Sequence, residues 1–269
     1  MQILDFLSYP FVIKAIIVGI CISVSAALIG VILVQKKYSM IGHGLGEAGF
    51  ASLAIALTLN LNPILVSIPV LIIFSLIIML ISQKKNISGD TIIAMVSTTA
   101  LATGIILTAI NNGFNVDVYG YMFGSILTMS TLDVILSILL SITLTIIYFI
   151  FYNRLCLISY DENFAKTSGI NVTFYQFLIA VITALIVVVG MRMMGTLLIS
   201  SLIVFPAITA RKITNSFKSL TLVSCIISVI TFLIGIIISA MFSLPTGASI
   251  VAADVILLFF ITILKKIVK

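Results

Sequence analysis

The stretch FVIKAIIVGICISVSAALIGVILV, residues 11–34, is apolar except for Lys14, Ser23 and Ser25. A helix of about 20 mostly apolar residues crosses the roughly 30 Å hydrocarbon core of a bilayer, so this stretch predicts a transmembrane helix. The whole chain has the same character, because 62% of its 269 residues are hydrophobic, 8% are charged and the mean hydropathy is +1.37. These values exclude an ordinary water-soluble domain.

Apolar runs of similar length recur along the chain with short connections between them. They predict an all-α fold, a polytopic transmembrane helix bundle of about eight or nine spans that forms a single domain over residues 1–269. The predicted spans are 11–34, 41–59, 62–82, 91–110, 132–153, 174–190, 194–210, 219–241 and 247–265.

Basic residues in the connections predict the orientation of the bundle, because loops rich in lysine and arginine remain in the cytoplasm. The connections at 60–63, 111–117, 191–194 and 243–246 are nearly free of them, which predicts an external N-terminus and a cytoplasmic C-terminus. This asymmetry explains most of the net charge of +6 without a nucleic-acid partner. The basic set is Lys36/Lys37, Lys84/Lys85, Arg154/Lys166, Arg211/Lys212/Lys218 and Lys265/Lys266/Lys269.

The segment 38–50, YSMIGHGLGEAGF, contains the only histidine of the chain, His43, and an acid four residues later, Glu47. On a helix this spacing places both side chains on one face. Imidazole nitrogen and carboxylate oxygen together suit zinc, manganese or ferrous iron. The four glycines between residues 42 and 49 favour a helix that is closely approached or broken, which membranes tolerate beside a cavity or inside protein.

The same pair has a structural interpretation, in which His43 and Glu47 hydrogen-bond to each other or to a neighbouring helix and the glycines permit close packing. A metal site would also need donors beyond these two. The candidates are Asp254, an acid in the middle of the last predicted span, which either binds metal or joins helices, and the polar residues Asn111, Asn112 and Asp117.

Other chemistry-bearing residues have simpler explanations. Asp90 lies in a Ser-Gly-Asp-Thr sequence that is typical of a helix N-terminus. The cysteines at 21, 156 and 225 have no short paired spacing, so they suggest neither a disulfide framework nor a thiolate metal site and are expected to be small buried hydrophobes.

The segment 194–218 ends in a basic stretch, after Pro206, that is expected to form a short interfacial helix. Its residues Arg211, Lys212 and Lys218 would suit either a lipid-facing anchor or a docking element for a soluble partner. The sequence has no phosphate-binding glycine loop ending in Gly-Lys-Ser/Thr, so ATP-driven work would need a separate subunit.

Five sequence pieces in the same order make the chain resemble the ABC-3 membrane permeases, the transmembrane subunits of bacterial ABC importers for zinc, manganese and iron. The resemblance covers most of the chain. The pieces are the glycine-rich segment at 42–56, Gly-Asp-Thr at 89–91, YMFGSIL at 121–127, MGTLLISSLIVFPAITAR at 194–211 and LPTGASIV at 244–251.

The resemblance implies a non-catalytic permease with a fold like that of type II ABC importers, located in the bacterial cell membrane. It implies a homodimer with the pathway along the dimer axis, two cytoplasmic ATPase subunits and an extracellular metal-binding protein, usually a lipoprotein in Gram-positive bacteria. It implies no permanently bound cofactor, since the metal is cargo. Membrane lipid surrounds such a protein.

The chain departs from the family pattern at the metal-ligand pair. The family usually has Gly-Asp before the histidine, whereas here His43 comes first and Glu47 follows. Both remain ligand types, so transition-metal transport is expected, with zinc slightly ahead of manganese, but the family's metal preference does not carry over.

Three other classes of membrane protein are alternatives to such a permease. An ion-coupled secondary transporter of a cation would use His43, Glu47 and Asp254 as a relay and would need no ATPase, but an inverted repeat typical of such folds is not evident. An intramembrane metalloprotease would need a His-Glu-x-x-His motif, which one histidine cannot supply. A purely structural subunit would not explain the glycine-rich segment.

Overall fold

The computed structural model describes residues 9–82, 88–110 and 131–268, and its regular structure in these ranges is entirely α-helical. The predicted all-α bundle is therefore confirmed. The helices are α1 (Pro10–Gln35), α2 (Ile41–Thr58), α3 (Pro63–Ser82), α4 (Gly89–Ile110), α5 (Thr131–Ile150), α6 (Tyr152–Tyr160), α7 (Glu162–Thr167), α8 (Val172–Met194), α9 (Thr196–Ile213), α10 (Phe217–Phe242) and α11 (Thr246–Val268).

Seven of the described helices are long and apolar enough to span a membrane: α1, α3, α4 and α8 to α11. The pair α5 and α6 adds an eighth candidate span, but it bends by 71° at Phe151. The predicted segment 132–153 therefore does not end as one straight span. Helix α2 coincides with the predicted segment 41–59 but is not among the seven, since its glycines and two ionisable residues lower its hydropathy.

Helix α1 lies inside the bundle and packs against α5, α9 and α10. Small residues allow this, because Ala26, Ala27 and Gly30 have no bulk at the contacts. A Cβ atom added to Gly30 would lie 1.9 Å from the carbonyl oxygen of Ile203 on α9. Backbone-to-backbone proximity of this kind is how small residues join membrane helices in the absence of a hydrophobic driving force.

The described basic connections gather at one end of the bundle, which we call the basic end. The Lys36 ammonium lies 3.6 Å from the Glu162 carboxylate, so the end of α1 meets α7. The rings of Tyr160 and Phe217 join α6 to the start of α10, and the Lys265 ammonium donates to the Lys212 carbonyl between the ends of α11 and α9. The charge pattern of the sequence thus corresponds to one face of the fold.

The predicted interfacial helix in the basic stretch is wrong. Helix α9 continues through Pro206 to Ile213, a short turn follows, and α10 begins at Phe217. The Ser216 hydroxyl caps α10 by accepting from the Ser219 amide, 3.2 Å away. A good N-cap at this position ends the turn and starts a new transmembrane helix instead of an interfacial one.

Candidate functional site

His43 and Glu47 face the same side of α2, as their spacing predicts. The His43 Nε2 and Glu47 Oε1 atoms are 3.3 Å apart, and the side chains are 57% and 22% exposed in the single chain. The rest of this part of α2 is buried against other helices. His43 and Glu47 therefore form the accessible, polar side of a helix segment whose other residues are buried by neighbouring helices.

The Glu47 carboxylate has an oxygen that could accept a further hydrogen bond or coordinate a cation. Its Oε2 atom is buried and has no hydrogen-bond partner among the described residues. A buried acceptor without a partner costs about 1–3 kcal/mol, so such an atom requires an explanation. One explanation is a ligand that occupies the site transiently, and a cation beside His43 and Glu47 would satisfy this oxygen.

Three glycines fix the position of the pair by allowing neighbouring helices to approach α2 from two sides. A Cβ atom on Gly42 or Gly46 would lie 3.2 Å and 3.0 Å from Ile203 and Thr196 of α9. A Cβ atom on Gly44 would lie only 2.6 Å from Ile93 of α4. The glycines therefore serve close packing, as the structural interpretation expects, and by doing so they leave the face with His43 and Glu47 open.

The other candidate metal ligands do not join the pair. Within the described ranges, no group of three or more histidine, cysteine, aspartate or glutamate side chains could hold a metal ion. Asp254 instead accepts a hydrogen bond from the Ser201 hydroxyl, 2.6 Å away, at the contact between α11 and α9. Asn111, Asn112 and Asp117, like the segment 121–127, lie outside the described residues.

The start of α4 agrees with the sequence pattern that predicted a helix N-terminus there. Asp90 lies in the first turn, where its charge complements the helix dipole, and the Ser88 hydroxyl accepts from the Thr91 amide at 3.3 Å. Cys21, Cys156 and Cys225 are free and only partly buried, on three different helices.

The predicted docking residues divide into two kinds at the basic end. Arg211 and Lys218 are exposed. Lys212 is partly buried and donates to the Thr262 hydroxyl, 2.8 Å away, which ties α9 to α11. Arg211 and Lys218 are thus accessible to a soluble partner, whereas Lys212 has a structural contact within the chain.

A second surface at the basic end was missed in the sequence. Helices α6 and α7 expose two aromatic side chains, Tyr160 at 60% and Phe164 at 56%. The Asp161 carboxylate caps α7 by accepting from the Asn163 and Phe164 amides at 2.9 and 3.0 Å. The Asp-Glu-Asn sequence at 161–163 was a capping signal for this short helix.

The α6–α7 surface is held to the bundle by Glu162. Its carboxylate accepts from the Gln176 amide of α8 at 2.9 Å and lies 3.3 Å from the Lys166 ammonium, in addition to its pairing with Lys36. Burial lowers the pKa of Lys36, and the nearby Glu162 carboxylate partly offsets this. The surface is thus anchored by a charge pair, not left as a loose loop.

The sequence is similar to those of known proteins over nearly its whole length. The chain is 29% identical over 97% of its length to the manganese import system permease protein ScaB of Streptococcus gordonii, covering 95% of that protein. It is 26% identical over 96% of its length to the high-affinity zinc uptake system membrane protein ZnuB of Haemophilus influenzae, covering 98% of that protein.

Solved structures give the same result. The structure of PsaBC from Streptococcus pneumoniae in complex with Fab matches with a TM-score of 0.84 and 28% identity, covering 97% of this chain and 94% of that one. An inward-facing metal-chelate type ABC transporter, described as putative, has the same fold at a TM-score of 0.73 and 16% identity, covering 93% and 85% of the two chains. The family model of the ABC 3 transport family matches residues 8–266, and the chain belongs to that family.

Proposed function

We propose that this chain is the membrane permease subunit of an ATP-binding-cassette importer that moves a divalent transition-metal ion into a bacterial cell. The observation that carries the proposal is the open His43–Glu47 pair with its unpartnered carboxylate oxygen, on a glycine-packed helix inside the bundle. The relatives named for manganese and zinc import support the metal class. ATP hydrolysis belongs to a separate subunit.

We propose zinc slightly ahead of manganese, with iron as the remaining candidate. Imidazole nitrogen is a good ligand for zinc and iron, whereas manganese prefers carboxylate and water oxygens. The more accessible member of the pair is His43, so an arriving ion meets the imidazole first. The mixed donor set leaves manganese as the direct competitor.

Two donors from one chain hold a metal ion weakly, which suits a transported ion. Structural zinc sites have four protein ligands, and such a closed site would retain its cargo. We propose that a second copy of the chain supplies the same two donors across a homodimer axis. The His43 side chain is 57% exposed in the single chain, so it is the donor that the second copy could approach.

The basic end is proposed to face the cytoplasm and to carry the ATPase, so the C-terminus is cytoplasmic and the opposite end receives the extracellular metal-binding protein. The exposed Arg211, Tyr160 and Phe164 suit docking, since aromatic residues and arginine are enriched in protein interfaces, and the exposed Lys218 adds a positive charge at the same end. ATP would drive transport through its different affinities for the outward-open and inward-open states.

The function is tested by metal uptake in cells that lack their own importer, supplied with this chain, its ATPase and its binding protein. Wild type should restore uptake of zinc or manganese, and omission of the ATPase should abolish it. Uptake that persists without the ATPase would contradict the proposal and favour an ion-coupled secondary transporter.

The site is tested in the same cells with the variants His43→Ala and Glu47→Ala. Both should abolish uptake while membrane levels stay normal. The matched control is Leu59→Ala, which changes an exposed residue just beyond the opposite end of α2 and should transport normally. Normal uptake by both site variants would show that His43 and Glu47 serve only in helix packing.

A further inference from the structure

Asp254 is a buried acid that the proposed transport function does not use. It lies in the first half of α11, which packs against α9 and α10, and it is 1% exposed. In the membrane this position is within the hydrocarbon region, because α11 is a candidate span from Thr246 to Ile267. An ionisable side chain at that depth is expensive and calls for a functional explanation.

The polar contacts of the carboxyl group are few. Its Oδ2 atom lies 2.6 Å from the Ser201 hydroxyl, and its Oδ1 atom is buried without a partner among the described residues. Thr231 of α10 is 1% exposed, but its hydroxyl donates to the carbonyl of Ile227, 3.0 Å away. The site thus offers two carboxyl oxygens and one or two hydroxyls.

A compensating positive charge is missing within the described part of the chain, where the ion pairs found do not include Asp254. A helix rises about 1.5 Å per residue. Along the axes of α9, α10 and α11, the nearest cationic residues are therefore about 15 Å or more from the level of Asp254, and Cys225 is about 9 Å from Thr231. The titratable residues of α9, α10 and α11 are Arg211, Lys212, Lys218, Cys225, Asp254, Lys265 and Lys266.

An isolated carboxylate here must therefore bind a positive species. A hard metal ion such as calcium takes about six to eight oxygen ligands, and the backbone carbonyls of the surrounding helices are already used in helical hydrogen bonds. The available oxygens are too few for such an ion. A proton needs only one oxygen and one acceptor, which is what Asp254 and Ser201 provide at 2.6 Å.

We propose that Asp254 is a proton-binding site, a neutral carboxylic acid at neutral pH that shares its proton with the Ser201 hydroxyl and joins α11 to α9. The neutral form leaves Oδ1 as an uncharged carbonyl oxygen, which is far cheaper to bury without a partner than half of an anion. The site binds a proton and not the transported metal.

A consequence follows if the proposed transport function is also correct. Ser200, next to Ser201, packs against Gly42 beside His43, so α9 lies between the proton site and the metal ligands. A fixed anion on the far side of α9 would attract and retain a divalent ion. A protonated Asp254 keeps the helices joined without that competing charge.

The test is infrared spectroscopy of the purified chain at neutral pH, which needs no transport. The chain has only eight aspartate and glutamate residues, so the carbonyl band of a buried, protonated carboxylic acid stands out from the ionised ones. Wild type should show this band, and Asp254→Asn should lack it. Absence of the band from wild type, or its persistence in Asp254→Asn, would overturn the proposal.

A second variant keeps the test valid if Asp254→Asn does not fold. Ser201→Ala retains the acid but removes its hydrogen-bond partner, so the band should move to higher frequency. An unshifted band would contradict the shared proton. Thermal unfolding of wild type with added sodium or zinc is the third measurement, and stabilisation that Asp254→Asn abolishes would show a cation site instead.

Discussion

Helices α2 and α11 each carry an acid with one buried carboxyl oxygen that has no partner among the described residues, but the two acids differ in exposure and in the group beside them. Glu47 has an imidazole 3.3 Å away and lies on an open face, whereas Asp254 has only hydroxyl groups near it and is 1% exposed. The residue type therefore does not determine the role. Access and the partner within hydrogen-bond distance do.

Glycine makes the difference between these regions. On α2 it occupies the faces toward α4 and α9, so packing does not need the face of His43 and Glu47. On α11 Asp254 itself takes part in the contact with α9, through its hydrogen bond with Ser201. An acid spared from packing is available to a ligand, and an acid used in packing is not.

The largest effect should come from removing the charge of Glu47 while keeping its size. Glu47→Gln removes the anionic ligand, so metal affinity should fall by about 10- to 100-fold or more, the range seen even for weaker perturbations of metal sites. Competition of zinc against a fluorescent chelator, with purified wild type and variant, measures this. An unchanged zinc affinity in Glu47→Gln would show that Glu47 is no more a metal ligand than Asp254.

The next effect concerns the glycine frame. Gly44→Val places new methyl groups against Ile93 and should destabilise the α2–α4 contact by about 1–3 kcal/mol through overpacking. Thermal unfolding in detergent measures it, and Ala109→Val, at an exposed position of α4, is the control. If both variants unfold alike, close packing does not position the proposed metal ligands.

A paired buried charge sharpens the comparison at the basic end. Glu162→Ala should lower the free energy of unfolding by about 2 kcal/mol, because it leaves the 7% exposed Lys36 without its partner. The loss should be smaller than for a fully buried pair, because Glu162 is partly exposed to solvent. The double variant with Lys36→Met should recover much of this loss. Additive losses in unfolding experiments would show that the two residues are not coupled.

The same pair predicts a pH dependence of stability. Burial lowers the folded-state pKa of Lys36 below its ordinary value of 10.5, so the folded state releases this proton at lower pH than the unfolded chain does. Stability should then rise with pH between the lowered pKa and 10.5. The Lys36→Met variant should lose this rise, and a rise that remains in it belongs to another group.

The smallest effect is expected at Asp254. Asp254→Asn replaces one neutral hydrogen-bonding group by another, so uptake should change less than about twofold and stability by about 1 kcal/mol at most. Metal uptake and thermal unfolding measure these two quantities. A loss of uptake as large as that of Glu47→Gln would place Asp254 in the metal pathway after all.

Local patterns in the sequence predicted the features that depend on near neighbours. Hydropathy located the helices, and the four-residue spacing placed His43 and Glu47 on one face. The bend at Phe151 was not predicted, since the chain is apolar on both sides of it. The connection between 210 and 219 was predicted, but as an interfacial helix where the structure has a short turn. Capping by Ser216 is the signal that would have revealed the start of α10, and capping by Asp161 that of α7, whereas Phe151 at the bend has no side-chain cap hydrogen bond.

Features that depend on distant parts of the chain could not be predicted. Asp254 was grouped with the candidate metal ligands by residue type, and its hydrogen bond with Ser201 of α9 could not be predicted from the sequence. The pairing of Lys36 with Glu162 likewise joins residues far apart in sequence. Such contacts follow from how helices pack, which apolar periodicity alone leaves open.

The most direct test of the account is transport of radiolabelled zinc and manganese into proteoliposomes that contain the chain, its ATPase and its binding protein. Wild type and Asp254→Asn should show ATP-dependent uptake, and His43→Ala and Glu47→Ala should show none. Equal uptake by wild type and both site variants would contradict the claim that the open pair on α2 is the metal pathway.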